Sequence, residues 1–480
     1  MLFTIFRREL LDHLMSVRFA LSVALTVALM ALNGVLFAGG EFGERMTSWR
    51  DAVKHTADHV ETKSGEGLAE LGIRGPGWLV KQPSPLVLCA SGRDEFLPPS
   101  IDAFTGSTTS SSRWDMKIHM PWFLRYSTPP RAPDAGVLSD FAEIDWVFAI
   151  GFAMSLMALL LTYDGICGER ESGTLRLLLS GPVPRFAVLA GKFLAALAVL
   201  SAALVAGVAI NLLIISLFGA MELTAALGWK VLAMATAAVL YLAFFVAMGL
   251  LVSARAERPA ASLVSLLLIW TVLLVLLPNT TAGVVSYLGA PKLEHQERHD
   301  AVEALWEEHQ IDRQQSPVGK DEHKPYEYVK VFTDYVQARL RVEQQYEEEF
   351  LRRQLAPVEL GRSLNRASPY GVFQYAMESL ADTGLPRHRR FMATAREYEK
   401  VFRQFVFERD QAEADSYHLF GMHDGMSTEP VPVEVVPVFG EDLSAGRTIG
   451  DTAPDLALLG LFALAALMGA NVAFLRREIT

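Results

Sequence analysis

Six stretches, each long and apolar enough to cross a lipid bilayer, constrain this chain more than anything else in it. They are Val17–Phe37, Trp146–Tyr163, Phe193–Phe218, Val231–Val252, Ala260–Leu277 and Pro454–Phe474. A helix rises 1.5 Å per residue, so about 20 residues cover a hydrocarbon core about 30 Å thick. None of the six has Asp, Glu, Lys or Arg in its interior, and Asp455 stands at the edge of the last. In lipid each backbone donor and acceptor must find its partner within the segment, which makes these runs helices. The second and fifth are short and can be lengthened by their flanks. The first has too long an apolar run, and no clear small-residue cleavage site, for a removable signal peptide.

The rest of the chain is not membrane. Hydrophobic residues make up 51% and mean hydropathy is +0.25, which suits a bundle carrying substantial water-exposed mass. The net charge of -11, with no offsetting basic block, speaks against a nucleic-acid partner. Lys and Arg in the short flanks set the expected orientation. Arg7, Arg8 and Arg18 precede span one, and Arg170, Arg176, Arg185 and Lys192 lie between spans two and three. Arg255 and Arg258 lie between four and five, and Arg476 and Arg477 follow six. Both termini are thereby expected in the cytoplasm, and two long inserts, 40–142 and 289–452, outside it. Cys89 and Cys167 then fall on opposite sides of the membrane, cannot pair, and read as packing residues.

The expected fold is an all-α membrane protein of six spans with an N-terminal amphipathic helix and two extracytoplasmic inserts, the second mainly helical. Residues 1–39 hold the amphipathic helix and first span, 143–288 hold spans two to five, and 453–480 hold the sixth span and a cytoplasmic tail. In the N-terminal helix Leu2, Phe3, Phe6, Leu10 and Leu14 can share a face opposite Arg8, Glu9 and Asp12. The first insert, with Pro83-Ser-Pro85-Leu86 and the run Ser107–Ser112, reads as a small, loop-rich lobe. In the second, Leu293–Gln314 and Tyr326–Leu355 read as a helical hairpin broken at Ser316-Pro317-Val318-Gly319. Glu429–Val438, with three prolines, reads as an extended connector.

Chemistry concentrates in the segment 164–186. Charged residues leave span two, a short amphipathic helix follows, prolines end it and span three begins. Such an element lies across the membrane face with Glu169, Arg170 and Glu171 projecting. It can dock in a cleft of a soluble partner, or it is an ordinary loop whose Arg and Lys are topological anchors.

The pattern Glu169-Arg-Glu-x-Gly173-Thr174-Leu175, then Leu-Leu, Pro-x-x-Arg and Gly191-Lys192, resembles the coupling segment of type-2 ATP-binding-cassette permeases. Phe6-Arg-Arg-Glu-Leu10 leading to Ser16-Val-Arg18-Phe19 resembles the start of that family. The turn Ser253-Ala-Arg255-Ala-Glu257-Arg258-Pro259 resembles its second cytoplasmic loop. The resemblance implies an exporter permease in the bacterial inner membrane, with ATPase-coupling residues Glu169, Arg170, Glu171, Gly173, Thr174, Leu175, Arg255 and Glu257. It implies a separate ATPase subunit holding ATP and Mg, and a second permease copy, identical or related. Membrane lipid and a periplasmic protein complete the expected partners.

A second set of residues is similar to a subgroup with large extracytoplasmic domains, loosely linked to gliding motility or multicopper-enzyme maturation. These are Pro85-Leu86 and Gly92, then Ser368-Pro369-Tyr-Gly-Val-Phe373, Thr383-Gly384 and Arg387-His388-Arg-Arg-Phe391. Pro369, Thr383, Gly384, His388 and Phe391 mark this extracytoplasmic motif. Thr383-Gly384 also reads simply as a helix stop, and Arg387–Arg390 as the polar start of the next helix.

The chain itself is not expected to be an enzyme or to hold a cofactor. Gly191-Lys192 lacks the upstream glycine and following hydroxyl of a phosphate loop. His55/His59 and His295/His299 are four apart but lack a third ligand, so no metal site is expected. Asn33, Asn211, Asn471 and Ser265 inside spans read as interhelical hydrogen-bonding groups. The near absence of intramembrane charge weighs against a proton-coupled carrier. Transport between the spans, mechanical action on a periplasmic partner, and a receptor or scaffold without ATPase all stay open from sequence.

Overall fold

The computed structural model describes residues 2–92, 97–105, 109–111, 116–118, 120–126, 144–180, 184–219, 224–288, 295–315, 325–441 and 445–476. It opens on α1 (Leu2–Leu14), which ends at a sharp corner where Ser16 caps the next helix by accepting from the Phe19 N–H at 3.2 Å. Span one is α2 (Val17–Leu36). Just beyond it the non-helical backbone of Gly40 separates two helices that meet at a kink. A π-helical turn (Phe37–Glu41) with Gly40 at φ 127° bends the chain, and α3 (Phe42–Glu66) carries on beyond the apolar run. The first insert therefore begins as a 25-residue helix, which corrects the loop-rich expectation. Its apolar residues are too sparse to announce a core-facing stripe.

After α3 come α4 (Leu68–Arg74) and five short strands, β1 (Trp78–Val80), β2 (Ser100–Phe104), β3 (Thr109–Ser111), β4 (Met116–Ile118) and β5 (Phe123–Arg125). The strands form an antiparallel sheet in the order β1-β2-β5 and a separate β3–β4 pair. Span two is α5 (Trp146–Phe148), a π-helical stretch (Ala149–Met154) and α6 (Ser155–Thr162). Two short helices follow, α7 (Cys167–Glu171) and α8 (Thr174–Leu179). Spans three and four are α9 (Arg185–Leu217) and α10 (Ala225–Arg255). Span five is α11 (Pro259–Thr271), a π turn (Val272–Leu276) and α12 (Leu277–Leu288). In the second insert α13 (His295–Gln315) and α14 (Pro325–Asn365) pack side by side as a hairpin. Its expected break at Ser316–Gly319 lies outside the described residues. The chain closes with α15 (Pro369–Ala381), α16 (Gly384–Gln411), two 3-10 turns and α17 (Ala445–Arg476), which contains span six. Among the described residues, six helical segments have the length and apolarity to cross a membrane, at the positions the sequence indicates.

Two features of packing position the sites. First, the inserts share one core instead of forming separate lobes. Leu68, Leu71, Leu79, Ile101, Trp122 and Leu124 from the first cluster with Phe391, Phe402 and Val406 from the second. Trp122 meets Phe402 edge-on at 5.5 Å between ring centroids. Second, α15 belongs to the membrane bundle although it lies within the second insert. Val372, Phe373, Met377, Leu380 and Ala381 join the apolar cluster of the spans, and α15 packs on α10 and α17. Among the intramembrane polar groups, Asn211 donates to Met30 O at 2.7 Å and Asn33 Oδ1 at 2.8 Å, while Trp146 Nε1 donates to Asn211 Oδ1 at 3.3 Å. These are interhelical bonds. Ser265 is exposed, and Asn471 Oδ1 has no hydrogen-bond partner among the described residues.

Candidate functional site: the clamp at the two ends of span four

At one end of the bundle the α7–α8 elbow and the turn leading into it are tied to α2, α9 and α10 and, through Lys192, to α1. Arg18, in the first turn of α2, pairs with both oxygens of Asp164 at 3.1 and 2.9 Å. Ser253 Oγ, on α10, accepts the N–H groups of Ile166 and Cys167 at 3.0 and 3.2 Å, two donors that α7 leaves open at its start. Arg170 donates to the carbonyls of Ala254 and Ala256 at 3.2 and 3.0 Å, gripping the C-terminal end of α10. That geometry also suits a helix C-terminus, where carbonyl oxygens carry partial negative charge. Lys192, buried in the second turn of α9, bridges Glu9 of α1 at 2.8 Å and Glu169 of α7 at 2.7 Å.

The expected projecting triplet is thus split. Glu169 and Arg170 turn inward, and only Glu171 is exposed. The reason is proximity to the buried Lys192 and to the carbonyls at the end of α10, whose pairing offsets the cost of taking the charged side chains out of water. Gly173, at φ 74°, makes the left-handed bend between α7 and α8. Leu175 is buried as the anchor of α8, whereas Thr174, Arg176 and Leu177 are exposed, Leu177 to 80%. Arg255 and Glu257, on either side of Ala256 in the turn that Arg170 grips, are also exposed. Residues 181–183 of the expected segment lie outside the described residues. Glu9 counted as a residue of the polar face of α1, and Lys192 as an anchor. Their pairing is foreshadowed only by a lysine placed inside an otherwise apolar helix. His13, next to this cluster on α1, has its pKa lowered, chiefly because burial disfavours its charged form.

At the other end, α15 and the turn after it tie the inserts to the spans. Ser368 caps α15, accepting from Tyr370 N at 3.2 Å while donating to Leu273 O of span five at 2.7 Å. Pro369 takes the first helical position, where its missing N–H costs nothing. Phe373 stacks on Tyr241 of α10 at 4.5 Å. Tyr370 fits against Gly151 of span two, where an added Cβ would sit 2.7 Å from its ring. Asp382, in left-handed conformation at φ 51°, ends α15 and pairs with Lys230 of α10 and, at 2.7 Å, with Arg390. Thr383 donates to Ala90 O at 2.8 Å, and Gly384, at φ 63°, lies against Gly92. His388 and Phe391 are buried in the following helix. The motif residues thus spread along the junction: Pro369 starts α15 beside span five, Thr383 and Gly384 follow its other end against Ala90 and Gly92, and Phe391 lies in the core of the inserts, with the helix stop where composition places it. Among the described residues no three His, Cys, Asp or Glu side chains gather as a metal site. Cys89 and Cys167 are both free and buried.

Span four is thus held at both ends, through Lys230 near its start and Ser253 to Ala256 at its finish. The 24 steps from Lys230 to Ala254 cover about 36 Å of helix, a full membrane crossing.

A charged elbow grips one end of this span and the inserts grip the other, in a chain whose described residues include six helices long and apolar enough to cross a membrane. The profile of the family described as ABC-2 family transporter protein matches residues 3–479. The chain belongs to the ABC-2 transporter family, and with six spans it is a permease-type member. Two curated proteins are partly similar. A probable ABC transporter permease protein, NosY, of Stutzerimonas stutzeri is 44% identical over 98 residues, 18% of this chain and 36% of that protein. NosY of Pseudomonas aeruginosa strain PAO1, also a probable ABC transporter permease protein, is 60% identical over 43 residues, 9% of this chain and 16% of that protein. The chain therefore matches about a third or less of the length of these relatives. Permease chains of this family do not themselves hydrolyse ATP.

Proposed function

We propose that this chain is the permease subunit of an ATP-driven exporter of the inner membrane, worked by a separate ATPase that binds ATP and Mg. Two permease chains, identical or related, would pair with two ATPase chains, with both termini in the cytoplasm and the inserts outside. The observation that carries this reading is the double hold on α10. A push on α7 and α8 reaches its C-terminal carbonyls through Arg170, and its N-terminal turn is linked to α15 through Asp382. The surface offered to the ATPase is the exposed strip of Glu171, Thr174, Arg176 and Leu177, with Arg255 and Glu257, rather than Glu169 and Arg170. A second reading draws on the same link. Because the inserts share a core and are pinned to α15, movement of α10 would rock them as a unit, and work could be done on a periplasmic protein instead of on a molecule between the spans.

The test is copurification with the ATPase and assay of vanadate-sensitive hydrolysis, comparing wild type with Leu177→Asp/Glu171→Arg. The pair change should abolish copurification while leaving membrane insertion and thermal stability unchanged, since neither side chain is buried. Retention of the ATPase by that variant would refute the assignment of the strip.

A further inference from the structure

The fused extramembrane core carries a second surface, away from the clamp. Two helices face each other across an open groove of about 500 Å³, floored by Leu124 and Tyr126. From α14 come Arg341, Gln344, Gln345 and Glu348, and from α16 come Arg396, Glu399, Lys400 and Arg403. Each set is spaced i, i+3, i+4, i+7, the face one helix normally turns to another. Here that face is polar on both helices, which are bridged across it by a hydrogen bond from Gln344 to Glu399.

The charges do not cancel. Four cations line the groove against two carboxylates, in a chain whose net charge is -11. Glu399 is engaged by Arg403 at 3.0 Å and Gln344 at 2.9 Å. Arg403 is further tied to Trp122 O. Lys400 lies 3.7 Å from Glu397 in a fully solvated pair, and Glu348 has no ion pair among the described residues. Arg396 reaches only the Tyr126 hydroxyl, at 3.3 Å, and Arg341 has no hydrogen-bond or carboxylate partner among the described residues. Burial pushes the Tyr126 phenol up to about 12, so it stays a neutral hydroxyl against Arg396 at physiological pH.

Two guanidiniums without carboxylates, flanked by two amides, suit carboxylate oxygens better than any other common group. The rows are about 10 Å long, the reach of about three extended residues. Pockets for small molecules enclose most of their ligand, whereas this groove is open and its helix-borne side chains are all charged or amide. We propose that the groove is a docking site for a carboxylate-rich peptide segment of a partner protein, held by Arg341 and Arg396. The site depends on the fold of the inserts and not on coupling to an ATPase, so it stands or falls apart from the permease reading.

The experiment uses the full chain in detergent and two fluorescein-labelled peptides, acetyl-tetraglutamate and acetyl-tetraglutamine, with binding read as anisotropy. The tetraglutamate should bind, weaken as salt screens the pair, and exceed tetraglutamine at low salt. Arg341→Gln/Arg396→Gln should weaken it about tenfold per guanidinium, with Arg352→Gln, in an exposed pair with Glu349, unchanged. Should the double variant lose its helical circular dichroism, the exposed Lys400→Gln serves instead and should weaken binding a few-fold. Equal binding of the two peptides, or an equal loss in Arg352→Gln, overturns the proposal. So does displacement of the peptide by free glutarate at the peptide's own concentration, which would give the groove to a small dicarboxylate.

Discussion

Replacing Lys192 by Met should loosen α1 and α7 together without unfolding the bundle. The ammonium is 6% exposed and sits between Glu9, 16% exposed, and Glu169, 27% exposed. Breaking a buried ion pair costs about 3–5 kcal/mol, because the surviving charge stays desolvated. Both carboxylates here keep some water, which places the loss near the lower bound, about 3 kcal/mol. Methionine retains the packing of the lysine stem, so little of that loss is cavity. An energy of about 3 kcal/mol corresponds to roughly 150-fold faster opening of the affected turns. Hydrogen–deuterium exchange with mass spectrometry would read it on peptides covering Leu2–Leu14 and Cys167–Glu171, with α10 as the unaffected reference. Adding Glu9→Gln and Glu169→Gln to Lys192→Met should recover most of the protection, since the stranded charges are gone. If Lys192→Met changes exchange less than about fivefold, or if the triple variant is as loose as the single, the three-helix ionic tie is not what holds the elbow.

Acidification should release the same helix by another route. His13 holds its pKa below the ordinary 6.5 because of burial, against the opposing pull of Glu9, Asp164 and Asp12 and the aid of Lys192. The undocked helix takes up the proton more readily, so docking is favoured above pH 6.5 and weakened as pH falls below it. Exchange of the α1 amides at pH 7.5 and 5.5, corrected for intrinsic rate, should show extra opening at the lower pH, and His13→Gln should remove the difference. At the opposite junction, Gly151→Val should cost about 1–3 kcal/mol by driving a side chain into the Tyr370 ring. Faster exchange confined to α15 and partial recovery with Tyr370→Ala are the expected outcomes, and an unchanged α15 would show that Tyr370 does not seat there.

Much of this protein is local and could be read without a structure. An apolar run with no charge over 18 or more residues has one stable form in lipid, so the six spans follow from composition along the chain. The stop between α15 and α16 likewise needs only Ser368-Pro369 at one end and Asp382-Thr383-Gly384 at the other. The segment 164–186 was legible only as a short helix leading to prolines; its division into two helices at Gly173, φ 74°, came from the structure.

What tertiary structure alone decided is which charges face water and which elements share a core. Lys192 and Glu9 are 183 residues apart, and Lys230 and Asp382 are 152 apart, distances over which no spacing rule operates. A charged residue on a short helix looks solvated from sequence because most such residues are. Glu169 and Arg170 turn inward only because α9 and α10 bring a buried ammonium and the carbonyls of Ala254 and Ala256 to them. The fate of α15 has a similar cause. Its apolar residues are too few to span a membrane, yet packing against α10 and α17 draws the helix into the bundle, and with it the foundation of both inserts.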